Sequence, residues 1–129
     1  MNNPKFYVSN DLYPGKLKDK KTDDDKVCHI KFCFCHNKYP LEKLGAKELK
    51  SLISFFKKIE VMTWTAIKID NGLNYETPTY FKDSMPDSFP IDATAISMGV
   101  SKKFRIIGWR EAHYLNIMWF DKNHSSYPG

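Results

Sequence analysis

The chain has 129 residues, a formal net charge of +5 and a pI near 9.0, and it is 42% hydrophobic and 15% aromatic. That length fits one domain able to bury roughly two thirds of its unfolded surface, and the apolar content supplies a core. One compact domain is therefore expected, and because no apolar run approaches the roughly 18 residues that a bilayer span needs, a soluble one. Basic balance favours contact with phosphate without requiring it. The opening "MNNPKFYVSND" has no apolar run behind a basic segment, so no secretory signal is expected. Three cysteines, an odd number, then point to reduced thiols in a cytoplasmic setting rather than to a disulfide framework.

Residues 1–26 read as an irregular arm carrying both charge signs, from "KLKDKK" into "TDDDK", with a turn at Pro14-Gly15. Phe6, Tyr7, Leu12 and Tyr13 are the residues expected to pin it to the body, if any do. A single domain is expected over 27–129. It begins with "VCHIKFCFCH", residues 27–36, which holds all three cysteines and two of the four histidines. Ile30, Phe32 and Phe34 alternate with His29, Lys31 and Cys33, the period of a half-buried strand over Val27–Phe34. On such a strand Cys33 and Cys35 share a face with His29, while Cys28 and His36 take the other. No CxxC pair is present, so the side chains do not converge on one tetrahedral ion, and no metal site is expected. Completing one with His113 or His124 across the sheet is the weaker reading. Free cysteines are ordinarily core residues, and Cys35-His36 adjacency does not lower a thiol pKa, because consecutive strand side chains diverge.

Pro40 ends this strand. In "LEKLGAKELKSLISFFKKIE" Leu49, Leu52, Ile53 and Phe56 mark one helical face, and Lys47, Lys50, Lys57 and Lys58 occupy others, with Gly45 marking a break near the start. "VMTWTAIKI" fits a strand by its β-branched residues, or a short helix with Thr63 as N-cap; the helix is preferred. Residues 70–92 carry Asn71-Gly72 and three prolines without periodicity, and read as a long connection, either a functional loop or a plain surface segment. Ile96, Met98 and Val100 then alternate with small residues. "KFRIIGW" and "HYLNIMWF" follow as two further strands around "REA", taken as the turn, and Tyr114–Phe120 reads as a central strand covered on both faces. This order predicts an α+β fold, an antiparallel sheet with one or two helices packed on one face.

The chemistry concentrates at the C-terminal end, "SKKFRIIGWREAHYLNIMWFDKNHSSYPG". Cations that hold phosphates beside rings that stack on bases suit RNA, which makes Lys102, Lys103, Trp109, His113 and Lys122 candidate RNA-binding residues. RNA cleavage without metal needs a base for the 2′-hydroxyl, a cation for the phosphate and an acid for the leaving oxygen. His124, Arg105 or Arg110, and Tyr127 are candidates for those parts. The structural alternative is a core built from strand aromatics and a solvated basic hairpin. For "FDKNH" the preferred reading is a turn in which Asp121 bonds its own backbone, against an Asp121–His124 pair. No cofactor is implied.

The pattern "FRIIG" followed by "YLNIMWFDKNHSSY", with the element order over residues 27–127, resembles the RelE/ParE-type toxins of bacterial toxin–antitoxin modules. The resemblance implies a RelE-like sheet, a ribosome-dependent mRNA endonuclease, and an antitoxin protein as partner. By position Arg105, Arg110, His124 and Tyr127 match the family's functional residues. The 70–92 loop, the N-terminal arm and the short "DKNH" depart from its pattern. A non-catalytic toxin or interaction module binding a protein target, or an accessory protein of a phage or mobile element, is the alternative.

Overall fold

The structure is a computed structural model that describes residues 23–33 and 38–128. Most of the expected arm, together with Phe34, Cys35 and His36, lies outside the described residues. The elements run β1 (His29–Phe32), a 3-10 turn (Leu41–Lys43), α1 (Ala46–Ile59), α2 (Trp64–Ile69), β2 (Ala95–Gly99), β3 (Arg105–Glu111) and β4 (Tyr114–Asp121). This is the expected α+β order. No helix among the described residues is long and apolar enough to cross a membrane.

Both helices follow their local signals. Glu48 reaches back to accept the Gly45 N–H at 2.7 Å and closes the start of α1, and Lys57 and Lys58 sit in its last turn, where the helix dipole favours cations. Thr63 Oγ1 accepts the Ala66 N–H at 3.2 Å, so "TWTAIKI" begins a helix rather than a strand.

The sheet order is β1-β4-β3-β2. β2, β3 and β4 form the expected antiparallel meander, but β1 pairs parallel with β4, in the register His29 with Tyr114 through Phe32 with Ile117. The sheet is thus mixed. A parallel neighbour requires a long crossover, and here α1, α2 and the other strands all lie between the two partners in sequence. β1 is also shorter than the alternation implied and lies at an edge, which leaves Phe32 43% exposed, while Cys28 just before it is buried.

One sheet face takes the helices: Leu52, Phe55 and Ile59 of α1, and Trp64 and Ile67 of α2, pack on Ile96, Met98, Ile106, Leu115, Ile117 and Phe120. Each large side chain buried this way contributes roughly 1.5–3 kcal/mol. The other face is not bare. Phe81 and Phe89 from the long connection lie edge-on against Trp119 and Trp109, at 5.8 and 5.5 Å between ring centroids, and Lys82 N–H donates to Ser126 O at 2.9 Å. From Phe81 onward the 70–92 connection is therefore a third layer over the sheet, while Leu73 and Tyr75 near its start pack with the helix-side core.

A bulge in β4 lets both layers fit. Ile107 pairs with Trp119 and Gly108 with Ile117, so Met118 is the extra residue. Leu115 and Ile117 face the helices, Met118 and Trp119 face the long connection, and Phe120 returns to the helix side. Gly108 sits in the tightest approach: a Cβ there would lie 1.9 Å from the Asn116 carbonyl oxygen.

Candidate active site

Arg105 begins β3, and its side chain lies on the face covered by the long connection. It is 5% exposed. Its Nε donates to Ser97 Oγ at 2.8 Å, and its Nη2 donates to the Asn74 carbonyl at 2.8 Å and lies 3.2 Å from Glu76 Oε1. Asn74 takes the left-handed conformation that asparagine tolerates, with φ of 45°. Glu76 is held by the backbone as well: it exchanges two hydrogen bonds with Ser97, both 2.9 Å, so the start of the long connection lies along the outer edge of β2.

Tyr127 reaches the same place from the C-terminal end. Its hydroxyl donates to Glu76 Oε1 and lies 2.8 Å from Ser97 Oγ. A phenol has one proton; with that proton directed at Glu76, the proton between Ser97 and Tyr127 belongs to Ser97. The four side chains then close a ring, from Arg105 through Ser97 and Tyr127 to Glu76 and back to Arg105. Burial, and then the bond to the Glu76 carboxylate, push the Tyr127 pKa up, so the phenol stays protonated at neutral pH. His124 packs on the Tyr127 ring at 4.6 Å, and its Nε2 is buried with no hydrogen-bond partner.

The Glu76 side of the ring opens on a cleft of about 300 Å³ lined by Thr77, Pro78, Thr79, Tyr80, Tyr127 and Pro128. Tyr80 is 63% exposed and presents an aromatic surface at its rim. The arrangement combines a partly exposed carboxylate and a protonated phenol at the cleft with a buried guanidinium behind them, a set that can accept and return a proton and offset negative charge.

Compared with known proteins, the chain matches no family model, no curated protein and no solved structure.

Three of the four residues expected to act catalytically, Arg105, His124 and Tyr127, thus share one cluster. Arg110 does not join them. It leaves β3 on the helix face, where its guanidinium lies 4.3 Å over the Trp64 ring, contacts Asp24 at 2.6 Å through Nη1, and donates from Nε to the Ala112 carbonyl at 2.6 Å. Strand side chains alternate, so residues five apart in one strand face opposite ways. Asp121 also takes no part with the His124 side chain. Its carboxylate is fully buried and accepts four hydrogen bonds, from the backbone N–H and the hydroxyl of Ser125 and of Ser126. The turn reading of "FDKNH" describes it.

The residues expected to bind RNA are dispersed. Lys102 and Lys103 are exposed in the β2–β3 turn, Trp109 is buried against Phe89, and His113 lies half-buried in the β3–β4 turn against His29, 4.7 Å between ring centroids. Lys122 Nζ donates to the Lys43 carbonyl at 3.3 Å. Among the described residues no three His, Cys, Asp or Glu side chains group as metal ligands. Sequence reasoning did not single out Glu76, Ser97 or Tyr80. The one signal was the length of the connection that contains Glu76 and Tyr80.

Proposed function

We propose that this chain is an RNA-cleaving protein of RelE-like architecture, acting by general acid–base catalysis at Glu76, Arg105 and Tyr127. Glu76 accepts the proton of the attacking 2′-hydroxyl. Arg105 balances the charge that grows on the phosphate. Tyr127 donates its proton to the departing 5′-oxygen, so the products are a 2′,3′-cyclic phosphate and a 5′-hydroxyl, and the proton taken by Glu76 returns to Tyr127. His124 supports the Tyr127 ring as a positioning residue. The observation that carries this reading is the closed Arg105–Ser97–Tyr127–Glu76 ring beside an open cleft, which sets a guanidinium, a protonated phenol and a carboxylate in contact with one another. The substrate is mRNA, on the ribosome in the toxin reading, in a cytoplasmic setting with an antitoxin protein as the silencing partner.

Incubation with translating ribosomes and mapping of transcript ends tests the proposal. Cleavage at defined positions is expected for the wild type and absent in Glu76→Gln.

The burial of the Arg105 guanidinium favours a second reading, a non-catalytic module that binds a protein target through its surface. Growth arrest on expression with intact transcripts supports it over the nuclease.

A further inference from the structure

α1 has two unlike flanks beside its core-facing stripe. On one, Phe56 meets Phe32 of β1 at 5.7 Å between ring centroids, and Leu49 and Ile53 continue the same flank at helical spacing and are exposed. On the other, Lys47, Lys50, Ser51, Ser54 and Lys58 recur at helical spacing. Lys50, Ser51, Ser54 and Lys58 of this flank, with Phe55 behind them, wall a cleft of about 380 Å³ that faces Gly72, Leu73, Gly99 and Val100. Its charge is set by few groups. Lys58 is tied to Asp70 at 3.0 Å, and Asp70 in turn accepts the Leu73 N–H at 2.9 Å, so this pair is a fixed, nearly neutral part of the wall. Lys50 has no acidic partner among the described residues and leaves the cleft net positive.

The position of this cleft ties it to the Glu76 cluster. The Leu73 carbonyl accepts the Gly99 N–H at 2.7 Å, and Glu76 bridges Ser97, so one short segment runs along the β2 edge from the lysine cleft to the ring. Positions 97 and 99 are about 7 Å apart along a strand. Gly99 belongs to both neighbourhoods: it lines the cleft, and a Cβ on it would lie 3.2 Å from Arg105 Nη1.

We propose that the Lys50–Ser54 cleft is a second phosphate subsite, which holds the RNA backbone next to the phosphate that is cut. Lys50 supplies the charge, and the Ser51 and Ser54 hydroxyls supply donors to phosphate oxygens. The Lys102 and Lys103 turn adds general attraction from the same end of β2. This inference rests on the RNA reading above, and its test is independent of cleavage.

The probe is a short single-stranded RNA, fluorescein-labelled and 2′-O-methylated so that it cannot be cut, titrated by fluorescence anisotropy over a range of salt. Lys50→Gln is expected to weaken binding about 3- to 10-fold at low salt and to reduce the log–log salt slope by about 0.7, the loss of one backbone contact. Ser54→Glu should weaken it further. Lys31→Gln, at the opposite edge of the sheet, should leave both unchanged. All three positions are exposed or half-exposed on the surface, and unchanged thermal melts confirm the fold of each variant. Unchanged affinity and slope in both Lys50→Gln and Ser54→Glu would overturn the subsite, as would an equal loss in Lys31→Gln, which would mean diffuse attraction. A wild type that binds the probe through Lys50 but cuts no transcript leaves the subsite standing and removes the nuclease. Cleavage that needs Glu76 with Lys50 indifferent does the reverse.

Discussion

Arg105 and Arg110, five residues apart in one strand, work on opposite faces of the sheet. Arg105 joins Glu76 and Ser97 under the long connection, and Arg110 pairs with Asp24 over Trp64 beside the helices. They cannot hold the same phosphate, and their substitutions should therefore separate.

Arg110→Gln removes a cation–π contact and an ion pair, and it should lower stability by about 1–3 kcal/mol while leaving cleavage per folded molecule unchanged. Urea unfolding and single-turnover cleavage measure the two effects. The hydrogen bond from Arg110, and then that from Lys68, hold the Asp24 carboxyl below its usual range. A depressed carboxylate stabilises the fold above the unfolded pKa, and that contribution is lost as pH falls through the folded value. The gap between wild type and Arg110→Gln should accordingly be full at pH 7 and narrow below about pH 4.

Tyr127→Phe keeps the ring against Phe81 and His124 and removes only the hydroxyl. Stability should fall by about 1 kcal/mol, and the cleavage rate by roughly 10²- to 10⁴-fold, if the phenol is the acid. A loss below threefold in rapid-quench experiments would show that Tyr127 serves the fold alone.

Gly108→Ala should be the most damaging conservative change in the sheet. The added Cβ meets the Asn116 carbonyl, which is backbone of the neighbouring strand and cannot swing aside. A loss of at least about 4 kcal/mol is expected, read as an unfolding midpoint far below that of wild type or as insoluble expression.

Cys28 should resist alkylation. Burial pushes its thiol up to about 12, so it carries almost no thiolate at pH 8. Native-state labelling with iodoacetamide and peptide mass mapping should leave Cys28 unmodified. Because the folded pKa lies above the unfolded one, stability should hold below about pH 9 and decline between there and pH 12.

Thr63→Ala removes the cap of α2 and should cost about 1 kcal/mol, with Thr63→Ser close to neutral. Thermal melts of the two variants give the comparison.

The identity and order of the elements were legible because each rests on local chemistry. Hydrophobic spacing marked α1, the Thr63 hydroxyl marked α2, alternation marked β2, and a nearly unbroken apolar run marked β4 as a central strand. Asp121 was legible as a turn residue because its partners lie within five positions. The separation of Arg105 from Arg110 was within reach too, since period 2 alone gives it, but only if both belong to one strand. Assigning "REA" to the turn hid it, and strand ends are fixed by pairing across the sheet rather than by the residues themselves.

Tertiary structure alone decided the rest. The parallel pairing of β1 with β4, the bulge at Met118 and the cover that the long connection lays over Trp109 and Trp119 all depend on partners far away in sequence. So does the candidate site. Nothing local distinguishes Glu76 from the other acids of residues 70–92; what selects it is the backbone bridge to Ser97, which brings its carboxylate to Arg105 and to Tyr127, 51 positions further on.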